Sequence, residues 1–105
     1  LKAHDLTIHV EDDENMPPRP HHHYFPNAMP MIDRVMEYGK LSHPDDMSWL
    51  NKESIDSHIK AFFRHYKEWN DVGAKNDHDS KLPIPGHMAT RIIMILEKIL
   101  QGKAT

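Results

Sequence analysis

The fold of this chain is decided by the stretch PGHMATRIIMILEKIL, residues 85–100. Pro85 suits the first turn of a helix and Gly102 suits its end, so the stretch predicts a helix from about Pro85 to Leu100. Apolar side chains cover most of the circumference of this helix. They are Met88, Ile92, Ile93, Met94, Ile95, Leu96, Ile99 and Leu100. Because the two other helices of a small protomer can hardly cover this surface, we expect a homo-oligomer whose shared helical bundle buries it.

Two further helices are predicted upstream, where apolar residues recur at helical spacing. The first runs from about Met29 to Tyr38 and the second from about Glu53 to Trp69. The second helix carries one apolar stripe, with His58 and His65 at its edge. This stripe consists of Ile55, Ile59, Phe62, Phe63, Tyr66 and Trp69.

The segments outside these helices are polar and contain most of the prolines. Lys40 to Asn51 and Asn70 to Pro85 are predicted to be loops. Residues 1–28 hold four prolines and an acidic run, and only Leu6 to Val10 alternates there like a strand. The chain is therefore expected to be all-α, with an irregular N-terminal arm, 1–28, ahead of one helical domain, 29–105.

Composition and charge exclude several classes of protein. The 13 Lys and Arg residues against 16 Asp and Glu give a formal charge of −3, which argues against a protein that binds duplex nucleic acid. The absence of cysteine excludes disulfides and thiolate zinc sites. No apolar run approaches the roughly 20 residues that cross a bilayer, so we expect a soluble protein with no membrane partner.

The polar residues that could carry chemistry lie near the ends of the predicted helices and in the loops. The sequence contains no phosphate-cradling glycine loop, nucleophile elbow, EF-hand loop or paired-histidine zinc helix. The candidates are instead Glu37, Lys40, Arg64, His65, Asp77, Asp79 and His87. Each has an ordinary structural explanation as a solvated side chain, a helix cap or a boundary residue, so only their joint arrangement points to a site.

The order and spacing of these residues are similar to those of a known family. From Met31 onward the chain resembles the bacteriophage dATP/dGTP diphosphohydrolases, which are small, all-helical and MazG-like. The matching residues are Tyr38-Gly39, Lys40, Trp49, Arg64-His65, Trp69, Gly73, Asp77, Asp79-Ser80 and His87. Two positions depart from the family pattern, since Ala74 stands where an acid is usual and Lys81 replaces a usual glycine.

The resemblance implies an enzyme that hydrolyses purine deoxynucleoside triphosphates to the monophosphate and pyrophosphate. Such a reaction needs a divalent metal ion to neutralise phosphate charge and carboxylates to hold that ion. By the resemblance, Glu37, Asp77 and Asp79 hold Mg²⁺ or Mn²⁺. His65 and His87 are then the catalytic residues, which orient water or ligate the metal.

The resemblance also implies how the substrate is bound. Lys40 and Arg64 would meet phosphate oxygens, and Trp49 would stack on the purine base. An enzyme of this kind is expected in the cytoplasm, which is that of a bacterial host if the chain is phage-encoded.

Two other functions remain open at this point. The first is a non-catalytic helical interaction protein or phage structural protein on a related scaffold, in which Ala74 has removed a needed ligand. The second is a histidine-rich metal-binding module, suggested by the ten histidines and the triplet His21-His22-His23, although most histidines are dispersed along the chain. Pyrophosphate release from a nucleotide would distinguish the enzyme from both.

Overall fold

The computed structural model describes residues 23–103, and four α-helices make up most of this part of the chain. They are α1 (Ala28–Gly39), α2 (Ser48–Asn51), α3 (Ile55–Lys67) and α4 (Ile84–Leu100). A π-helical turn, Glu68–Val72, continues α3. Within residues 23–103 the only strand-like pairing is an isolated bridge between Asn76 and Pro83. The all-α prediction is confirmed, with its three long helices close to the predicted bounds.

The N-terminal arm falls mostly outside the described residues. The predicted extended stretch from Leu6 to Val10 and the first two histidines of the triplet lie there. The structure therefore does not test the division into an arm, 1–28, and a helical domain, 29–105.

The helix α2 corrects the prediction of a continuous loop from Lys40 to Asn51. Four residues are too few to show a helical period in the sequence, so this helix depends on contacts made in the folded chain. Leu50 packs into the core, and its carbonyl accepts a hydrogen bond of 2.7 Å from Nζ of the buried Lys98 on α4. The second predicted loop, from Asn70, also begins later than expected. The π-helical turn continues to Val72, and Gly73, whose φ of 78° is left-handed, caps it.

The central element is α4, which packs against α1, α2 and α3. Its first turn holds Ile84, which is fully buried, and a Cβ at Gly86 would come within 3.2 Å of Met31 on α1. In the described part of the chain α1 and α3 do not pack on each other. Both therefore lie on α4 with a cleft between them.

The buried face of α3 differs from the predicted apolar stripe. Besides Ile55 and Ala61, the residues buried on this helix are the two histidines, His58 and His65. Phe63 and Tyr66, which belong to the predicted stripe, are more than one-third exposed. The stripe and the buried face differ because the two histidines are buried through specific contacts with α4, with residues around α2 and with the loop before α4.

Apolar residues also remain exposed along α4, as its sequence suggested. Ile92, Ile93, Leu96 and Leu100 are each more than one-third exposed in the single chain. None of the helices in residues 23–103 combines the length and hydropathy needed to cross a bilayer.

Candidate functional site

A cavity of about 310 Å³ lies between α1, α3 and the first half of α4. It forms where α1 and α3 diverge, and residues from the segments before and within α2 also line it. Seven of the eight predicted site residues line this cavity. They are Lys40, Trp49, Arg64, His65, Asp77, Asp79 and His87. Residues spread over nearly fifty positions of sequence therefore meet in one place.

The eighth predicted residue, Glu37, does not line the cavity. It is exposed, and its Oε1 accepts a hydrogen bond of 3.0 Å from Nζ of Lys40. Lys40 also lies 3.4 Å from Asp46, and the hydrogen bonds to these two carboxylates raise the pKa of Lys40. Lys40 is therefore a firmly protonated cation at the edge of the cavity, with Glu37 on its outer side.

His65 lies in the last turn of α3 and is one of two stacked histidines beside the cavity. Its ring lies 4.7 Å from that of His87, centroid to centroid, with 21° between the ring planes. Burial lowers the pKa of His65 to about 4, and the neighbouring His87 and Arg64 add to this effect. The imidazole of His65 is therefore neutral near pH 7.

The Nδ1 atom of His65 is buried and has no hydrogen-bond partner among the described residues. Oδ1 of Asp77 lies 3.7 Å from this nitrogen, which is too far for a hydrogen bond. A buried polar atom without a partner costs about 1–3 kcal/mol, so this one requires an explanation.

Asp77 is held in place by the loop that leads into α4. Its Oδ2 accepts hydrogen bonds from the backbone N–H groups of Asp79 (3.0 Å) and Ser80 (2.9 Å). Burial by itself raises the pKa of Asp77, but these backbone hydrogen bonds, together with His87 and His65, outweigh it and lower the pKa below its ordinary value. Asp77 is thus a carboxylate with one oxygen fixed by its own loop and the other directed at His65.

His87 lies in the first turn of α4 and is tied to the same loop. Its Nε2 and Oγ of Ser80 form a hydrogen bond of 2.7 Å, and that hydroxyl also accepts the backbone N–H of Leu82 at 3.1 Å. Burial lowers the pKa of His87 although Asp77 opposes the shift. A neutral imidazole that contacts both the loop and the cavity can accept a proton from water.

A second polar network adjoins the cavity and was missed in the sequence. His58, which is fully buried, donates from Nε2 to the backbone carbonyl of Trp49 at 2.8 Å. Its Nδ1 then accepts from Nη1 of Arg91 at 2.9 Å, and Arg91 also donates to Oε2 of Glu53 at 3.3 Å. Arg91 and Glu53 both line the cavity. The one sequence signal for Arg91 was its position as a cation directly before the apolar run Ile92 to Leu96.

Glu68 is the other residue that the sequence analysis missed. It lies three residues after His65, in the first position of the π-helical turn, so both side chains lie on the same side of the helix. One ligand atom from each of His65, Glu68 and Asp77 can be chosen so that all three lie within 4.8 Å of one another.

The cavity therefore combines cations with carboxylates and neutral imidazoles. Arg64 makes no ion pair with any residue in 23–103, whereas Lys40 and Arg91 each contact a carboxylate. Such a set can bind an anionic ligand together with a metal ion, while the histidines handle protons.

The comparison with known proteins agrees with this chemistry. A family model described as dATP/dGTP diphosphohydrolase, N-terminal, matches residues 9–105. The match covers every residue of the cavity, and it confirms the resemblance found in the sequence. No curated protein and no solved structure matches the chain.

Proposed function

Because the chain belongs to the dATP/dGTP diphosphohydrolase N-terminal family, we propose that it hydrolyses purine deoxynucleoside triphosphates to the monophosphate and pyrophosphate with a divalent metal ion. The observation that best supports this proposal is the cavity, since seven of eight residues expected to bind and cleave the nucleotide line it. The nucleotide pool on which such an enzyme acts is cytoplasmic, and we propose that location for the protein.

The phosphate chain of the substrate would be bound by the cations of the cavity. Arg64 is the foremost of them, because no carboxylate in the described chain competes for it, and its planar guanidinium suits phosphate oxygens. Lys40 adds a second cation at the edge of the cavity. Trp49, which is half-buried and lines the same cavity, is proposed to stack on the purine.

The residues present fit a divalent metal ion. Asp77 and Asp79 line the cavity as carboxylates, and the unpartnered Nδ1 of His65 lies beside Asp77. When bound, Mg²⁺ or Mn²⁺ would neutralise the charge on the phosphates and polarise the phosphorus that is attacked. The metal role of Glu37 stays a prediction, since this residue is paired with Lys40 outside the cavity.

Proton transfer is assigned to His87. Its imidazole is neutral because burial lowers its pKa, and the hydrogen bond to Ser80 fixes the ring. A neutral imidazole at this position can orient a water molecule and accept its proton as the water attacks the phosphate chain. His65 was predicted to share this role or to ligate the metal, and its stacking on His87 keeps both rings in one orientation.

The proposal is tested by incubating the chain with a panel of nucleoside triphosphates and either Mg²⁺ or Mn²⁺ and measuring pyrophosphate. We expect release from dATP and dGTP in preference to pyrimidine nucleotides. The variant Asp77→Asn should lower turnover by roughly a hundredfold or more, because it removes the charge that holds the cation. Asp56→Asn is the matched control, because Asp56 is an exposed residue of α3 that, within residues 23–103, pairs only with Lys60.

If the chain is instead a non-catalytic interaction protein, the opposite result is expected in this assay. No nucleotide would then release pyrophosphate, and Asp77→Asn would cost only about 0.5–2 kcal/mol of stability through the weakened loop contacts. Measuring the melting temperature and the turnover on the same purified variant distinguishes these outcomes.

We also propose that the protein is a homo-oligomer. Large apolar side chains are exposed on three elements of the single chain. They are Ile92, Ile93, Leu96 and Leu100 on α4, Phe63 and Tyr66 on α3, and Trp69 in the π-helical turn. This exposed apolar surface is larger than a surface helix usually carries. A second copy would cover it in a shared bundle. Sedimentation equilibrium of the unmodified chain measures this directly, and a stable monomer at micromolar concentration would contradict it.

A further inference from the structure

The residues His65, Glu68 and Asp77 together have the composition of a metal site. The sequence resemblance includes His65 and Asp77 but not Glu68, and it does not group the three. We propose that they hold a divalent first-row transition-metal ion, bound through Nδ1 of His65 and one carboxylate oxygen from each of the two acids. One ligand atom from each residue can be chosen so that all three lie within 4.8 Å of one another, and Nδ1 of His65 is the imidazole nitrogen that lies 3.7 Å from Oδ1 of Asp77. The proposal deepens the proposed function and rests on it only for the use of the ion in catalysis.

The buried Nδ1 of His65 is the first observation in favour of this site. The side chain is 9% exposed, so water solvates it poorly, and Nδ1 has no hydrogen-bond partner among residues 23–103. A buried polar atom without a partner destabilises the fold unless something else satisfies it. A metal ion would do so, because a neutral imidazole offers a lone pair at this nitrogen.

The second observation is the distance between the ligand atoms. Nδ1 of His65 and Oδ1 of Asp77 are 3.7 Å apart, beyond hydrogen-bond range. Two atoms that each lie about 2.1 Å from one ion are separated by about 3–4 Å, so this spacing suits a shared ion. Asp77 is also prepared for the role, since the backbone N–H groups of Asp79 and Ser80 hold its other oxygen in place.

The third observation is local backbone structure. Glu68 follows His65 by three residues, at the point where the α-helix changes to a π-helical turn. Turns of this kind occur frequently at functional sites, because they redirect side chains relative to the preceding helix. Glu68 is half-buried, and one of its carboxylate oxygens lies within 4.8 Å of a ligand atom of His65.

The donor set also decides which ions suit the site. One imidazole nitrogen with two carboxylates favours Mn²⁺, Fe²⁺, Co²⁺ or Zn²⁺, whereas Mg²⁺ and Ca²⁺ prefer sites made of oxygen alone. The inference therefore narrows the expected Mg²⁺ or Mn²⁺ to Mn²⁺ as the ion for the test.

The test measures Mn²⁺ binding without substrate. The full chain is freed of metal with EDTA, desalted and titrated with Mn²⁺, and the paramagnetic resonance signal of free Mn²⁺ reports how much is bound. We expect saturation at one Mn²⁺ ion per chain. An equal concentration of Mg²⁺ should not displace the bound Mn²⁺. Glu68→Gln and His65→Gln should each weaken Mn²⁺ binding by roughly tenfold or more.

Two controls keep the result specific. Asp71→Asn changes an exposed acid in the same π-helical turn and should leave Mn²⁺ affinity unchanged. Circular dichroism checks that each variant is folded, and Glu68→Gln, at a half-buried position, serves as the decisive variant if His65→Gln does not fold.

Each negative result has a distinct meaning. Absence of Mn²⁺ binding at millimolar concentration, or equal binding by Glu68→Gln and the unmodified chain, overturns the site. Equal affinity for Mg²⁺ and Mn²⁺ overturns the assignment to transition metals. If Mn²⁺ binds as expected but no triphosphate releases pyrophosphate, the metal site stands and the proposed function fails. If both variants lose Mn²⁺ binding but retain hydrolysis, the use of this ion in catalysis is refuted and the proposed function stands.

Discussion

His58 and His65 lie seven residues apart on the same buried face of α3, yet their surroundings differ in one decisive respect. Both ring nitrogens of His58 have partners, the carbonyl of Trp49 on one side and Arg91 on the other. Nδ1 of His65 has none among the described residues. Sequence pattern treats the two histidines alike, because both fall at the edge of the same apolar stripe.

The difference separates a structural histidine from a candidate ligand. His58 is fixed as the Nε2–H tautomer, because Nε2 donates to the backbone carbonyl of Trp49 in α2 and Nδ1 accepts from Arg91. Neither nitrogen of His58 is therefore available to a ligand. His65 retains a lone pair beside two carboxylates, at a cost to stability that the fold tolerates. Residues kept at such a cost are more often functional than structural.

The largest expected effect is a loss of stability in mild acid. His65 has a folded pKa of about 4, whereas an unfolded histidine titrates near 6.5, so between these values the unfolded chain binds more protons. Stability is therefore lost as the pH falls from about 6.5 to about 4, by on the order of 3 kcal/mol from His65 alone. Burial lowers the pKa values of His58 and His87 too, which acts in the same direction.

Urea denaturation of the metal-free chain at pH 7.5 and pH 4 measures this loss. His87, Arg64 and Arg91 oppose protonation of His65, and Asp77 favours it. The variant His65→Leu removes one titrating group and should show a weaker dependence on pH. Equal stability at the two pH values would refute the neutral, buried state of these histidines.

The next effect is a contrast between two matched substitutions. His58→Leu should destabilise the metal-free chain by about 3 kcal/mol, because it leaves a carbonyl and the cation Arg91 each short of a buried partner. His65→Leu should change stability by no more than about 1 kcal/mol, since replacing an unpartnered polar group by an apolar one of similar size is nearly neutral.

Chemical denaturation of both variants without metal measures the contrast. His78→Gln, at an exposed histidine of the loop before α4, is the control and should stay within about 0.5 kcal/mol of the unmodified chain. Equal losses of stability in His58→Leu and His65→Leu would mean that the hydrogen-bonding groups of His65 are as well satisfied as those of His58. That result would refute the distinction between a structural histidine and a candidate ligand.

The extent to which sequence predicts this fold depends on the range of the interactions. The long helices were predicted because apolar spacing and terminal Pro and Gly residues are local signals. The short α2 was missed because Lys98, which binds the carbonyl of Leu50, is 48 residues away. The difference between the predicted stripe and the buried face of α3 has the same origin, since the partners of His58 are Arg91 on α4 and the carbonyl of Trp49.

The candidate site shows the same limit. Seven of its predicted residues were found by matching an ordered pattern, which contains spatial information that no single residue carries. Glu37 was included by the same resemblance, although its side chain pairs with Lys40 outside the cavity. Arg91 and Glu53 were missed because they meet across 38 positions of sequence, and Glu68 was missed because the sequence was searched for an acid at Ala74 instead.

The smallest expected effect concerns His87, which lies between the two extremes because one of its nitrogens has a partner. Ser80→Ala removes the hydroxyl that bonds Nε2 of His87 and accepts the N–H of Leu82, and it should cost about 1–2 kcal/mol. The loss would be larger than that of Ser57→Ala, at an exposed position of α3, where alanine is neutral or slightly stabilising. Urea midpoints of both variants measure the difference. If Ser80→Ala costs no more than Ser57→Ala, the ring of His87 is held by its stacking on His65 rather than by the loop, and the two histidines then form one unit that opens onto the cavity.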